Sequence, residues 1–445
     1  MIFLIIKLTH LYYRFGDGDV YLYMINQISR GIFPYKDFFI ADPPGLLIFL
    51  SGIKIFLGQN WLMYQAIPSI LEAINASLIY YLLRKQQITL SWLAPILYLF
   101  SFTVLSTSDY LTGVQLTIFF TLVAVVFMEL KRGIAAGIFW SLAMLTKMYA
   151  FPAFAGACLY FWLTERKLFW KMVLSAFVTG IVVVLPFFFL APKNFFDYVI
   201  KHNLNRPVGN SKATVFGFFL SYEWFLILLS LAGSFLKNSR KYVLPLVFLV
   251  VFFLLFRDLY LLYLNYLMFW FILLAIVLLN KFWTETAETR PLVIVALLVF
   301  LVTTGLSAKS YFNDFTYRNR FLNIQEVAGF LKEQNDNLKL YGTHEATPWV
   351  ALLTGRELFG GYIDTNTQIF GSNTYDLQKI SSDALAEGVY LLARISYYPE
   401  LGIQPQGFEG YFSRELFDKS CIKEKFFEDT GKETSNYIGI YKCAN

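Results

Sequence analysis

Residues 15–45, "FGDGDVYLYMINQISRGIFPYKDFFIADPPG", place four carboxylates, Asp17, Asp19, Asp37 and Asp42, in the first polar stretch of an otherwise apolar chain. What surrounds that stretch decides the fold class. The 445 residues are 57% hydrophobic and 19% aromatic but only 15% charged, whereas a soluble domain is about a quarter charged. The apolar residues are blocked into runs such as "LAPILYLFSFTVLS", "IVVVLPFFFLA" and "PLVFLVVFFLLF". Hydrocarbon offers no hydrogen-bond partner to a bare peptide group, so runs of this length are read as membrane-spanning helices. The expected class is mostly α: a polytopic transmembrane bundle carrying a small α/β domain at its C-terminal end.

Spans are expected near 1–13, 62–83, 90–106, 111–130, 133–147, 149–163, 169–191, 214–236, 242–256, 259–280 and 290–307, about eleven in all. Segment 44–58 reads as a helix lying at the interface. Alternate connections carry "RKQQ" (84–87), "KRG" (131–133), "ERK" (165–167), "KNSRK" (237–241) and "NK" (280–281). Short basic loops mark the cytoplasmic side. Residues 14–61, 192–213 and everything after 308 then lie outside, in a multi-pass protein of the plasma or inner membrane. The division is a transmembrane module, 1–308, and an extracytoplasmic α/β domain, 309–445. In the latter, "IQEVAGFLKEQ" and "ATPWVALLTG" read as helices, "LKLYGT" and "GVYLLARI" as buried strands, and the tail from Lys425 to Cys443 as a hairpin.

The net charge of +6 is what cytoplasmic loops supply anyway, and no basic stripe interleaved with aromatics points to nucleic acid. Cys158, Cys421 and Cys443 show no metal-ligand spacing; the last two can pair if they face an oxidising compartment. "MIFLIIKL" lacks the small residues of a cleavage site.

The first outer loop resembles that of the C-type (GT-C) glycosyltransferases. The nearest branch holds the protein O-mannosyltransferases and lipid A aminoarabinose transferases, the 39/83-like families. The resemblance rests on Asp17, Tyr21, Gly31, Pro34, Tyr35, Asp37, Pro43 and Pro44. It departs from the pattern at Gly18, where a Glu often follows the first Asp, at Asp42, where a Lys or His often precedes the prolines, and at Gly45, where Leu follows them. The resemblance implies an inverting transfer of a sugar from a polyprenyl-phosphate donor to a lipid, glycan or protein acceptor on the outer face.

In that reading Asp17 is the general base and Asp19 the runner-up, with Tyr21, Asp37 and Asp42 shaping the loop against the acceptor. Asp109, at the outer start of a span, reads both as an N-terminal cap and as an acid that orients the acceptor or shares a divalent cation with Asp17. Gln115 is a polar candidate nearby. Metal dependence stays open and no other cofactor is implied. For the donor phosphate the candidates are Lys147, Arg206 and His202, with Arg257 and Tyr260 as weaker ones; a guanidinium suits phosphate because it binds with two prongs. Glu72 and Glu223 fall within apolar runs and stay outside the expected site. Membrane lipids are partners throughout. Rival classes are a secondary transporter, which would carry its charges at the membrane midplane, and a non-catalytic membrane scaffold.

Overall fold

Every residue from Leu264 to Ile276 is buried, so the helix Leu261–Glu285 is surrounded on all sides and forms the axis of the bundle. A helix apolar all round has no other stable place. The computed structural model describes residues 1–315, 319–334, 336–398, 403–406, 408–430 and 435–444. Against the axial helix pack Lys212–Ser234, Arg240–Leu255 and Val114–Glu129. The helix Arg166–Leu190 lies outermost and exposes Phe177, Val178, Val182 and Phe189, an apolar face that suits lipid and not water.

Among the described residues five helices are long and apolar enough to cross a membrane: Trp61–Lys85, Arg166–Leu190, Lys212–Ser234, Leu261–Glu285 and Arg290–Asn313. The spans expected near 111–130, 133–147, 149–163 and 242–256 form helices of 14 to 16 residues, shorter than the roughly 20 residues a full crossing needs. Two expectations need correction. Segment 1–13 is helical only over Ile2–Leu8; the chain then extends to pair with the outer domain. Segment 90–106 is broken into Leu93–Leu99 and Phe102–Thr107. The break is capped twice: Ser101 accepts from the Val104 amide, and Glu223, 4% exposed, accepts from the Thr103 amide at 2.9 Å. A freed amide in an apolar bundle needs such a partner. The segment near 44–58 is a helix, Gly45–Leu57.

The basic connections gather at one end. Lys241 pairs with Glu129 at 2.6 Å, Lys131 with Glu165 at 3.3 Å, and Gln86 donates to the Tyr242 hydroxyl. At the other end the acidic loop and the outer domain share one hydrophobic core that includes Val20, Leu22, Trp349 and Val350. The Phe15 amide donates to Asn319 O at 2.7 Å and the Phe321 amide to Tyr13 O at 2.8 Å, with the Phe15 and Phe321 rings stacked 4.5 Å apart.

The outer domain is built on a sheet of β1 (Lys339–Gly342), β2 (Val389–Tyr398), β3 (Ile403–Gln406), β4 (Cys421–Thr430) and β5 (Ser435–Cys443). The order is β1-β2-β5-β4, with β3 beside β2. β1 and β2 run parallel, joined through the helices Thr347–Thr354 and Leu377–Glu387, while β4 and β5 form the hairpin read from the tail. In its register Cys421 faces Cys443, and the two form a disulfide. With the cysteines 22 positions apart in sequence, such a link stabilises by about 3 kcal/mol. Cys443→Ser should therefore open the outer domain to limited proteolysis at lower temperature than wild type; equal resistance with and without reductant would count against it.

Candidate functional site

Between the bundle mouth and the outer domain lies a cavity of about 1410 Å³. Of the residues expected at a site, it brings together Asp17, Tyr21, Asp42, Lys147, His202 and Arg206, and also Arg257 and Tyr260. Asp19, Asp37, Asp109 and Gln115 do not line it.

The four carboxylates of the opening stretch have four separate tasks. Asp37 accepts from the Phe33 amide at 2.8 Å and closes its own turn, where Tyr35 sits at φ 65°. Asp19 is fully buried in the first turn of the helix Gly18–Ile28. Burial pushes its carboxyl well above the usual range, since a charge there has little to solvate it. Sealed from solvent and outside the cavity lining, Asp19 cannot reach an acceptor and does not fit the runner-up role. Asp42 accepts from Lys147 Nζ at 2.5 Å and from the Tyr21 hydroxyl at 2.7 Å. Asp17 precedes the helix, lines the cavity, and has His344 Nε2 3.8 Å away.

The cations are also held. Lys147 follows the last turn of the helix Gly133–Thr146 and reaches the Tyr21 hydroxyl at 3.0 Å as well as Asp42. The acid found where a base often stands thus faces a lysine from another helix. Arg206 Nη1 lies 3.3 Å from Asp258, and its Nε donates to His202 Nε2 at 3.4 Å. His202 Nδ1 is within hydrogen-bond distance of the Ser372 and Thr374 hydroxyls, at 2.9 and 3.0 Å. Burial, together with the neighbouring Arg206 charge, lowers the His202 pKa to about 4, so it stands neutral beside the guanidinium.

Asp109 belongs to a separate buried cluster. Its Oδ1 lies 3.0 Å from Lys7 Nζ, and its Oδ2 lies 3.6 Å from Arg14 and accepts from the Tyr311 hydroxyl at 2.8 Å. Both oxygens are engaged away from the cavity, which does not fit a cation shared with Asp17 or direct contact with an acceptor. Among the described residues no group of three or more His, Cys, Asp and Glu is placed to hold a metal ion. Glu72, fully buried, accepts from Tyr98, Asn75 and Asn265 at 2.5, 3.2 and 2.7 Å; an intramembrane carboxylate is tolerated on such terms.

Sequence reasoning missed the outer wall. Thr343, His344 and Glu345 follow β1, Arg394 lies in β2 just beyond the register pair Gly342–Leu392, and Asp364 comes from the connection between them; all five line the cavity, as does Asp258. Ligands commonly sit beyond the carboxyl ends of parallel strands, and His344-Glu345 directly after the strand read as "LKLYGT" was the available signal. Arg394 is paired with Glu345, which it holds below the usual carboxylate range despite burial.

With this geometry in hand, two solved structures align over almost the whole chain. One is ArnT, an aminoarabinose transferase, from Cupriavidus metallidurans bound to undecaprenyl phosphate: 12% identity and TM-score 0.60 over 98% of this chain and 97% of that one. The other is the same protein in the apo state: 13% identity and TM-score 0.60 over 99% and 97%. The fold is of the GT-C type. No family model and no curated protein matches the sequence.

Two measurements test these assignments. Asp109→Ala leaves Lys7 and Arg14 buried beside a lost partner, so it should destabilise the protein by about 3 kcal/mol or more in thermal unfolding; an unchanged midpoint would free Asp109 for another role. His202 takes up fewer protons folded than unfolded between its ordinary 6.5 and about 4. Its contribution to stability is therefore full above that window and lost as pH falls through it, at up to about 1.4 kcal/mol per pH unit. His202→Gln should flatten the fall; the same slope in both proteins would show that another group titrates.

Proposed function

We propose that the chain is a membrane glycosyltransferase that moves a sugar from a polyprenyl-phosphate donor to an acceptor hydroxyl, with inversion, at the outer face of the membrane. One observation carries this reading: a single cavity is lined by Asp17, by Lys147 and Arg206 held in place by carboxylates, and by apolar side chains such as Phe151, Leu204 and Leu255 that stay exposed. A lipid-linked phosphate needs such a combination, with an apolar path for its tail and fixed positive charge for its head. The structure of ArnT with undecaprenyl phosphate supports the same class of donor.

Asp17 accepts the proton of the acceptor hydroxyl as its oxygen attacks the anomeric carbon. The bond from that carbon to the phosphate oxygen breaks in the same displacement, and the leaving phosphate keeps the electron pair. Arg206 and Lys147 face the charge that develops there. Holding the reactants in line removes the entropy of their encounter, and the pre-set cations need no rearrangement at the moment of reaction. The outward assignment of this end rests on the basic loops at the opposite end and on the Cys421–Cys443 disulfide, which suits an oxidising compartment.

Asp17→Asn should remain folded and lower transfer from a polyprenyl-phosphate sugar by about 10²-fold or more; turnover near wild type would remove Asp17 as base and leave a scaffold or transporter as the better description. Arg206→Ala should raise the donor KM and lower kcat, and Arg206→Lys should recover only part, because an ammonium keeps the charge without the two-pronged geometry. Wild-type rates for Arg206→Ala at limiting donor would shift the phosphate contact to Lys147.

A further inference from the structure

The cavity has two chemically different walls. On the bundle side stand Lys147, Arg206 and the exposed Arg257 among apolar side chains. On the outer-domain side stand Thr343, His344, Asp364, Asn366 and Gln368. The cation of that second wall, Arg394, is engaged by Glu345, by Asn319 Oδ1 at 3.1 Å, and lies 3.9 Å over the Phe15 ring.

Asp364 takes the Asn366 amide at 3.0 Å, and within 4 Å of its carboxylate no described Lys or Arg forms an ion pair. Burial raises its pKa above the usual carboxylate range, with the charge of Asp17 adding to this and His344 opposing it. His344 Nε2 stands 3.8 Å from Asp17 Oδ1 and 3.5 Å from Asn366 Nδ2. The wall therefore offers carboxylate oxygens, an imidazole and side-chain amides around the expected base, and its one guanidinium is spoken for.

A ligand that fits this wall must both give and take hydrogen bonds and must not bring negative charge. Sugar hydroxyls meet that demand, since each is a donor and an acceptor. A phosphate monoester does not: close to Asp17 and Asp364 it would meet like charge in a half-buried space, where repulsion is stronger than in water. Tyr110 and Tyr411 also line the cavity and supply aromatic surface for the apolar face of a ring.

We infer that the outer-domain wall is an acceptor subsite for a neutral sugar ring, and that the acceptor is a carbohydrate hydroxyl and not a phosphate group. This rests on the transfer reading above. It places Asp364, Asn366 and Gln368 as specificity residues, and Asp17 at the junction of the two walls, where a hydroxyl held by the outer domain meets the base.

The experiment uses the full-length protein in lipid nanodiscs with no donor present. Saturation-transfer NMR reads binding of maltose as a neutral probe and of glucose 6-phosphate as a phosphate monoester. Wild type should show a maltose signal well above that of glucose 6-phosphate. Asp364→Asn and Gln368→Ala should each weaken the maltose signal by about five-fold, what losing one hydrogen bond of ordinary strength gives. Gln368 is partly exposed, so its variant keeps the test valid if Asp364→Asn fails to fold. No maltose signal in wild type, a maltose signal as strong as wild type in both outer-wall variants, or stronger binding of glucose 6-phosphate would overturn the inference. Because no turnover is read, failure of the transfer reading (an Asp17→Asn variant as active as wild type) registers in a separate experiment.

Discussion

Two backbone hydrogen bonds, from the Phe15 amide to Asn319 and from the Phe321 amide to Tyr13, set where the outer domain stands over the bundle. They splice the start of the acidic loop to the chain that leaves the last long helix. Trp349 Nε1 adds a bond to Arg14 O at 2.9 Å, and the Leu358 amide donates to the Tyr23 hydroxyl at 3.1 Å. The helix Gly18–Ile28 then buries nearly all of its residues, some against the loop and some against the outer domain. A loop and a domain that share a core cannot move independently, so the cavity between them has fixed walls. Asp17 and His344 are more than three hundred positions apart in sequence; this splice brings them together.

The second constraint is electrostatic. At the mouth of an apolar bundle a lone charge is costly, and removing one member of a buried pair costs more than the pair contributes. The sequence meets this by giving three of the loop carboxylates partners of their own: backbone amides for Asp37 and Asp19, a lysine for Asp42. Asp17 is left with an imidazole and open space. The same rule explains Glu72, whose oxygens accept from two side-chain amides and a phenol, and Glu223, whose Oε1 accepts from the Thr103 amide.

This also shows what was legible in the sequence. Long apolar runs have only one answer in hydrocarbon, so the bundle and the alternation of basic loops could be read directly. In the outer domain the helices Ile324–Glu333 and Thr347–Thr354 and the strands β1 and β2 follow period and length and were read at nearly their observed bounds. The helices Leu377–Glu387 and Arg414–Ser420 and strand β3 were not read, and β4 starts at Cys421 and not at Lys425. The first segment and the break at Ser101 were not legible, because both depend on partners far away in sequence: Lys7 needs Asp109, and the Thr103 amide needs Glu223. The site was half legible. Asp17, Lys147 and Arg206 stand out as polar residues in sparse surroundings. His344, Asp364 and Asp258 do not, since a polar residue in a soluble domain is ordinary until the fold turns it toward a cavity.

Under the proposed activity, cations already bound to carboxylates must still accept a phosphate, and the donor counts decide how. Lys147 has three N–H bonds and uses two, on Asp42 and Tyr21. It has one left, enough for a single phosphate oxygen; a second bond there displaces Tyr21 or Asp42, whose side chain is 22% exposed. Arg206 has five N–H bonds in a rigid fork, of which Nη1 is committed to Asp258 and Nε weakly to His202. It can keep Asp258, nearly sealed from solvent at 2% exposure, and still present its remaining edge to two phosphate oxygens. Because His202 stays neutral, it adds no second positive charge that would need its own counter-ion. Arg206 is thus the residue that can grip the phosphate without uncovering a buried acid, and Lys147 the one that shifts between Asp42 and the leaving group as charge builds.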